Sequence, residues 1–125
     1  MGTIDIRTDT GKNRLYICLN GFFSGADLEP TLAKIRAELE HLHPDFDVIT
    51  DIKGFVPGSP KAAEALKAGA ELVKARGRRR AIRVTGGLMT GLMQFKRMMG
   101  GVFEEDETVR YAGSIEEADT ILDEW

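Results

Sequence analysis

Residues 47–77 read DVITDIKGFVPGSPKAAEALKAGAELVKARG, and their reading decides the fold. Val48 and Ile49 lie in a short apolar run that closes on Asp51-Ile52-Lys53-Gly54, the pattern of a strand inside a sheet. Gly54, Pro57 and Gly58 break the chain. Ser59-Pro60 restarts it, with Ser as N-cap and Pro, its φ already fixed, at the first helical position. The Ala-rich run that follows puts Ala63, Leu66, Ala70 and Val73 on one face and Glu64, Lys67, Glu71 and Lys74 on the other. Gly77 suits the left-handed position just past a helix end.

Upstream, Ile4 and Ile6 alternate with polar residues, and Leu15, Ile17 and Leu19 do the same after the turn signal Asp9-Thr10-Gly11. The two runs predict a hairpin whose second strand ends at Asn20-Gly21. Leu28, Leu32, Ile35, Leu39 and Leu42 form one helical stripe, capped by Ser24 or Asp27, with Pro30 in the first turn and Pro44 as the stop.

Downstream, Arg78, Arg79 and Arg80 lead into the strand Ala81–Val84. Thr85-Gly86-Gly87 is a turn, Leu88–Met99 a helix and Gly100-Gly101 its end. Val109–Ala112 is a short strand. Ser114-Ile115-Glu116-Glu117 is a capping box opening the last helix, with Ala118, Ile121 and Leu122 inward and Trp125 as a terminal plug. After the hairpin, strands and helices alternate. This order predicts an α/β fold with right-handed crossovers and a mixed, mostly parallel sheet of about five strands with about four helices. With 125 residues, 42% of them hydrophobic, and no linker or repeat, the expectation is a single domain over 1–125.

A net charge of −3 argues against nucleic acid as partner. One cysteine, Cys18, allows no internal disulfide and fits a reducing cytoplasm. No apolar run reaches the length of a membrane span, and the first residues are too polar for a signal peptide.

The layout resembles the STAS family, which includes the anti-sigma-factor antagonists, in a divergent, SpoIIAA-like form. Four features carry the likeness: the apolar strand closing on Asp51–Gly54, a Ser at the start of the next helix, the strand ending in Thr85-Gly86-Gly87 before a short helix, and the terminal YAGSIEEADTIL. The resemblance implies a β-α superhelix and a non-enzymatic, cytoplasmic bacterial regulatory module that binds a protein partner or a second copy of itself. An alternative, by similarity to SEC14-type lipid-binding domains, is a carrier or sensor of a small apolar ligand. In antagonists the switch serine follows Asp and precedes Ser or Thr and then Gly. Here Gly58-Ser59-Pro60-Lys61 stands in that place, which predicts that Ser59 is not a substrate of an anti-sigma kinase.

Each candidate site has a plain structural reading beside the functional one. Ser59 is a helix cap, or the anchor of a phosphate at a helix N-terminus. Thr85, Gly86 and Gly87 are a tight turn, or a ligand loop at the carboxyl end of a parallel strand; they match neither a dinucleotide fingerprint nor a P-loop. On the helix 88–99, Leu88, Leu92, Phe95 and Met99 form a core face, while Met89, Met93 and Met98 widen the apolar arc. Adaptable Met at a partner surface or ligand mouth would explain that width, as would covering loops. The basic run Arg76–Arg80 with Arg83 reads as a solvated loop, or as a patch for nucleic acid or anionic lipid that Lys96 and Arg97 would extend; the acidic chain and the lack of nearby aromatics favour the loop. His41 and His43 do not share a helical face, so no metal site is expected. Cys18 reads as structural, and Phe22 and Phe23 as core or pocket wall. No nucleophile–base pair, metal set or pair of carboxylates at recognisable spacing appears, so no catalytic residues and no cofactor are expected.

Overall fold

The computed structural model describes residues 2–23, 25–57, 60–85 and 107–125, with backbone only at 22, 25, 27–29, 56, 57 and 63. The described elements run β1 (Thr3–Asp9), β2 (Arg14–Phe23), α1 (Gly25–Leu39), β3 (Phe46–Pro57), α2 (Pro60–Ala75), β4 (Arg78–Val84), β5 (Val109–Ala112) and α3 (Ile115–Glu124). The five strands lie in the sheet in chain order. β1 and β2 form the expected antiparallel hairpin, and every later pair is parallel. The helix expected over 88–99 lies outside the described residues.

Period-2 alternation divides the side chains between two faces. Leu15, Ile17, Leu19, Val48 and Ala81 point to the layer made by α1 and α2. Tyr16, Ile49, Ile82 and Val84 point the other way, where α3 brings Ala118 and Leu122. Ile35 and Leu39 are buried on α1, as the stripe requires, and Leu42 packs against the same core from beyond the helix end. On α2, Ala62, Leu66, Gly69 and Val73 recur at helical spacing on the inner side, while Glu64, Lys67, Glu71 and Lys74 are exposed. The helix ends at Ala75, and Gly77 takes φ +108°, the left-handed turn a Cβ would strain. The Gly77 carbonyl accepts from the Asp45 N–H at 2.7 Å, which starts β4 beside β3.

Four local expectations are corrected. β2 does not end at Asn20-Gly21; it continues to Phe23 through a register shift between Cys18 and Asn20, with Gly21 at φ +103°. β3 is not broken at Gly54, because Asn20 is paired there and its side chain occupies the space a Cβ on residue 54 would need. The break residue instead lets two strands run on. Pro30 lies inside α1 rather than in its first turn. Arg78, Arg79 and Arg80 are not a solvated loop; they form the first half of β4.

At the opposite end, α3 is capped as expected: Ser114 Oγ accepts from the Glu117 N–H at 3.1 Å. Glu117 Oε2 reaches back to the Gly113 N–H rather than to that of Ser114. Trp125 packs on the α3-side core with the Arg110 guanidinium 3.9 Å above its ring and that of Arg80 at 5.3 Å. Among the described residues, no helix is long and apolar enough to cross a membrane.

Candidate functional site

The parallel strands β3 and β4 carry the chain to one edge of the sheet, and both predicted ligand turns follow their carboxyl ends. The edge is stepped rather than flat. Asp51 pairs with Val84 at the end of β4, yet β3 continues six residues further, to Pro57. At about 3.3 Å per residue this overhang extends roughly 20 Å along the strand. β2 accompanies it, pairing Phe23 with Pro57. Phe23 and Phe55 stiffen the arm from within, both buried and with ring centroids 5.6 Å apart. α2 then starts at Pro60, at the top of the step, and runs back along the sheet.

Thr85 stands at the foot of the step. It is buried, and its N–H donates to the Ala112 carbonyl at 3.2 Å, tying the end of β4 to β5. Of the other predicted site residues, Ser59, Gly86, Gly87, Met89 and Met93 lie outside the described residues, as do Met98, Lys96 and Arg97.

A polar cluster that sequence reasoning did not single out lies on the α3 side of the sheet, where Asp51 pairs with Val84 at the end of β4. Cys18 and Asp51 are register partners on β2 and β3. The buried Asp51 carboxylate accepts from Lys53 Nζ at 3.0 Å through Oδ2, and the Cys18 thiol donates to the same oxygen at 3.8 Å. Burial pushes the Cys18 thiol above its ordinary pKa, and the Asp51 charge adds to that. The hydrogen bond to Asp51 raises Lys53. The cluster therefore holds a protonated thiol, which is a poor nucleophile. The sequence signal was the spacing: Asp51 and Lys53, two apart on a strand, must share a face.

On the opposite face, a cavity of about 540 Å³ lies between the α1–α2 layer and the sheet. Its walls include Leu19, Ile35, Val48, Leu66 and Val73, and it also receives Thr31, Thr50 and Arg83. Arg83 is buried in this face rather than solvated with the basic run to which the sequence assigned it. Counting by two from the inward Ala81 would have found it.

No protein-family model matches the sequence, and no curated protein matches it. Solved structures do. A DUF3478-family protein from Shewanella loihica PV-4 with a SpoIIAA-like fold superposes with a TM-score of 0.65 at 17% identity, over 97% of this chain and 93% of that one. The anti-sigma factor antagonist SpoIIAA in its unphosphorylated form gives a TM-score of 0.61 at 16% identity, over 97% and 98%. The phosphorylated form of SpoIIAA, described as a Bacillus cell-fate determinant, gives 0.56 at 15%, over 98% and 99%. The chain thus has the divergent STAS fold of SpoIIAA that its layout implied.

Proposed function

We propose that the protein is a non-enzymatic, cytoplasmic regulatory module that binds a partner protein through the stepped carboxyl edge. The contact surface comprises Ser59 at the start of α2, Thr85, Gly86 and Gly87 after β4, and Met89 and Met93 in the segment beyond. The observation that carries this reading is the fold match along nearly the whole chain to SpoIIAA, an anti-sigma factor antagonist. The match is one of architecture, so the function comes by analogy. The raised pKa of Cys18, beside an Asp51 already engaged by Lys53, supports a role without covalent catalysis.

A photo-crosslinking amino acid placed at position 61 or 89 and expressed in the native host tests this. One discrete protein is expected to be captured from both positions and not from position 12, in the turn at the opposite sheet edge. Equal capture from position 12, or capture from there alone, contradicts the reading. A second copy of the chain as the captured protein would make the module a homodimer.

A second reading, a carrier or sensor of a small apolar ligand, is favoured by the 540 Å³ cavity, which falls in the usual size range of ligand sites (about 300–1,000 Å³).

A further inference from the structure

The cavity under α1 and α2 is apolar along most of its wall, and Thr31, Thr50 and Arg83 add polar side chains to the lining. Thr50 and Arg83 are register partners on β3 and β4, so their side chains leave the same face of the sheet side by side. Arg83 is 7% exposed and Thr31, on α1, is 6% exposed; both line the cavity. A guanidinium keeps its charge even in an apolar setting. Thr31 Oγ1 is fully buried with no hydrogen-bond partner among the described residues. A buried hydroxyl left in this state is costly, and an oxygen or donor delivered by a ligand would satisfy it. The remaining charges on the lining favour an anion as well: Lys67, Lys74 and Arg78 against the single carboxylate of Glu71.

Resting on the small-ligand reading, we propose that this cavity binds a single-chain fatty acid, with the carboxylate on Arg83 and the Thr31 hydroxyl and the alkyl chain along Leu19, Ile35, Val48 and Val73. The guanidinium fork matches a carboxylate in two parallel hydrogen bonds, while the walls offer only dispersion and desolvation to the chain. Arg83 then selects the head group and the walls select chain length.

Isothermal titration of the purified full chain with decanoate and with decan-1-ol at pH 8 separates these contributions. The expected result is decanoate at least tenfold tighter than the alcohol. Arg83→Met should abolish that preference while retaining alcohol binding. Thr31→Val, nearly isosteric and so safe for the fold, should reduce the preference severalfold. Equal affinity of the two probes for the wild type overturns the head-group assignment but leaves the ligand reading standing. Failure of both probes to bind overturns the ligand reading itself. Decyl phosphate binding tighter than decanoate assigns the head site to phosphate esters and overturns the carboxylate. If Arg83→Met does not fold, Thr31→Val decides, and an unchanged preference in that variant overturns the proposal.

Discussion

Asp47 receives Arg80 side-on: Nε donates to Oδ1 at 3.0 Å and Nη2 to Oδ2 at 2.8 Å, at a carboxylate that is only 2% exposed. Arg79 adds a longer pair of contacts to the same oxygens, and Arg80 Nη1 also reaches the Trp125 carbonyl at 2.6 Å. One buried acid thus joins β3, β4 and the residue that follows α3.

Asp47→Asn should cost about 3–5 kcal/mol, because it leaves the largely buried Arg80 cation without its counter-charge. The effect should depend on pH. Burial alone would raise the Asp47 pKa, but the hydrogen bonds and charges of Arg80 and Arg79 outweigh it and hold the carboxyl below its ordinary value. A depressed folded-state pKa contributes stability that is present above about pH 3.9 and is lost as pH falls further. Urea melts at pH 7 and pH 3 should show the gap between wild type and Asp47→Asn shrinking at the lower pH. A gap of equal size at both would refute the ion-pair account.

Tyr16 makes the corresponding tie on β2. Its hydroxyl donates to Asp119 Oδ1 at 2.6 Å, the same oxygen that Arg14 Nη1 reaches at 2.7 Å. Burial, with the Asp119 hydrogen bond behind it, pushes the Tyr16 pKa up to about 12. A raised folded-state pKa gives stability that is present in full below the ordinary value of about 10 and fades as pH climbs towards 12. Tyr16→Phe should cost about 1.5 kcal/mol at pH 7. Thermal melts should show that difference narrowing above pH 10. No difference at pH 7 would mean the Arg14–Asp119 pair suffices alone.

These two ties mark where sequence reasoning stopped. The strands and helices were legible because alternation and the 3.6-residue stripe are local. Gly77, Ser114 and the hairpin turn were legible because their chemistry is local too. Asp47 opened the quoted stretch without a role of its own, and Arg79 and Arg80 read as solvated. Only the pairing of β3 with β4 brings them together. Arg83 was misplaced for a related reason: a run of arginines suggests one environment, while a strand sends alternate members to opposite faces. Gly54 and Asn20-Gly21 read as breaks because each is a turn residue on its own. Side by side they form a bulge that extends both strands and creates the step in the candidate edge.

Gly69 lies inside α2, where glycine lowers helix stability by roughly 1 kcal/mol relative to Ala. A Cβ there would meet Ile35 Cδ1 and Leu32 Cδ2 at 3.7 Å, ordinary van der Waals contact. Gly69→Ala should therefore raise stability by about 0.5–1 kcal/mol in urea melts. A loss of stability would show that α1 and α2 must approach more closely than this packing implies.

Ser59 should stay unmodified by an anti-sigma kinase, because Gly precedes it and Pro follows. Incubation of the protein with ATP and such a kinase from the same genome should leave its intact mass unchanged. Stoichiometric addition of one phosphate at Ser59 would restore the phosphorylation-switch reading.

Partner binding at the carboxyl edge is tested most directly by the double substitution Met89→Gln, Met93→Gln. The affinity for the protein captured by crosslinking should be measured by titration, with a urea melt on the same preparation. The expected result is an unchanged melting midpoint with affinity at least tenfold weaker, a loss of about 1.4 kcal/mol or more. Wild-type affinity in a folded variant would contradict the proposed surface. A cooperative loss of about 2–5 kcal/mol of stability would also contradict it, since that is the signature of core side chains rather than docking ones.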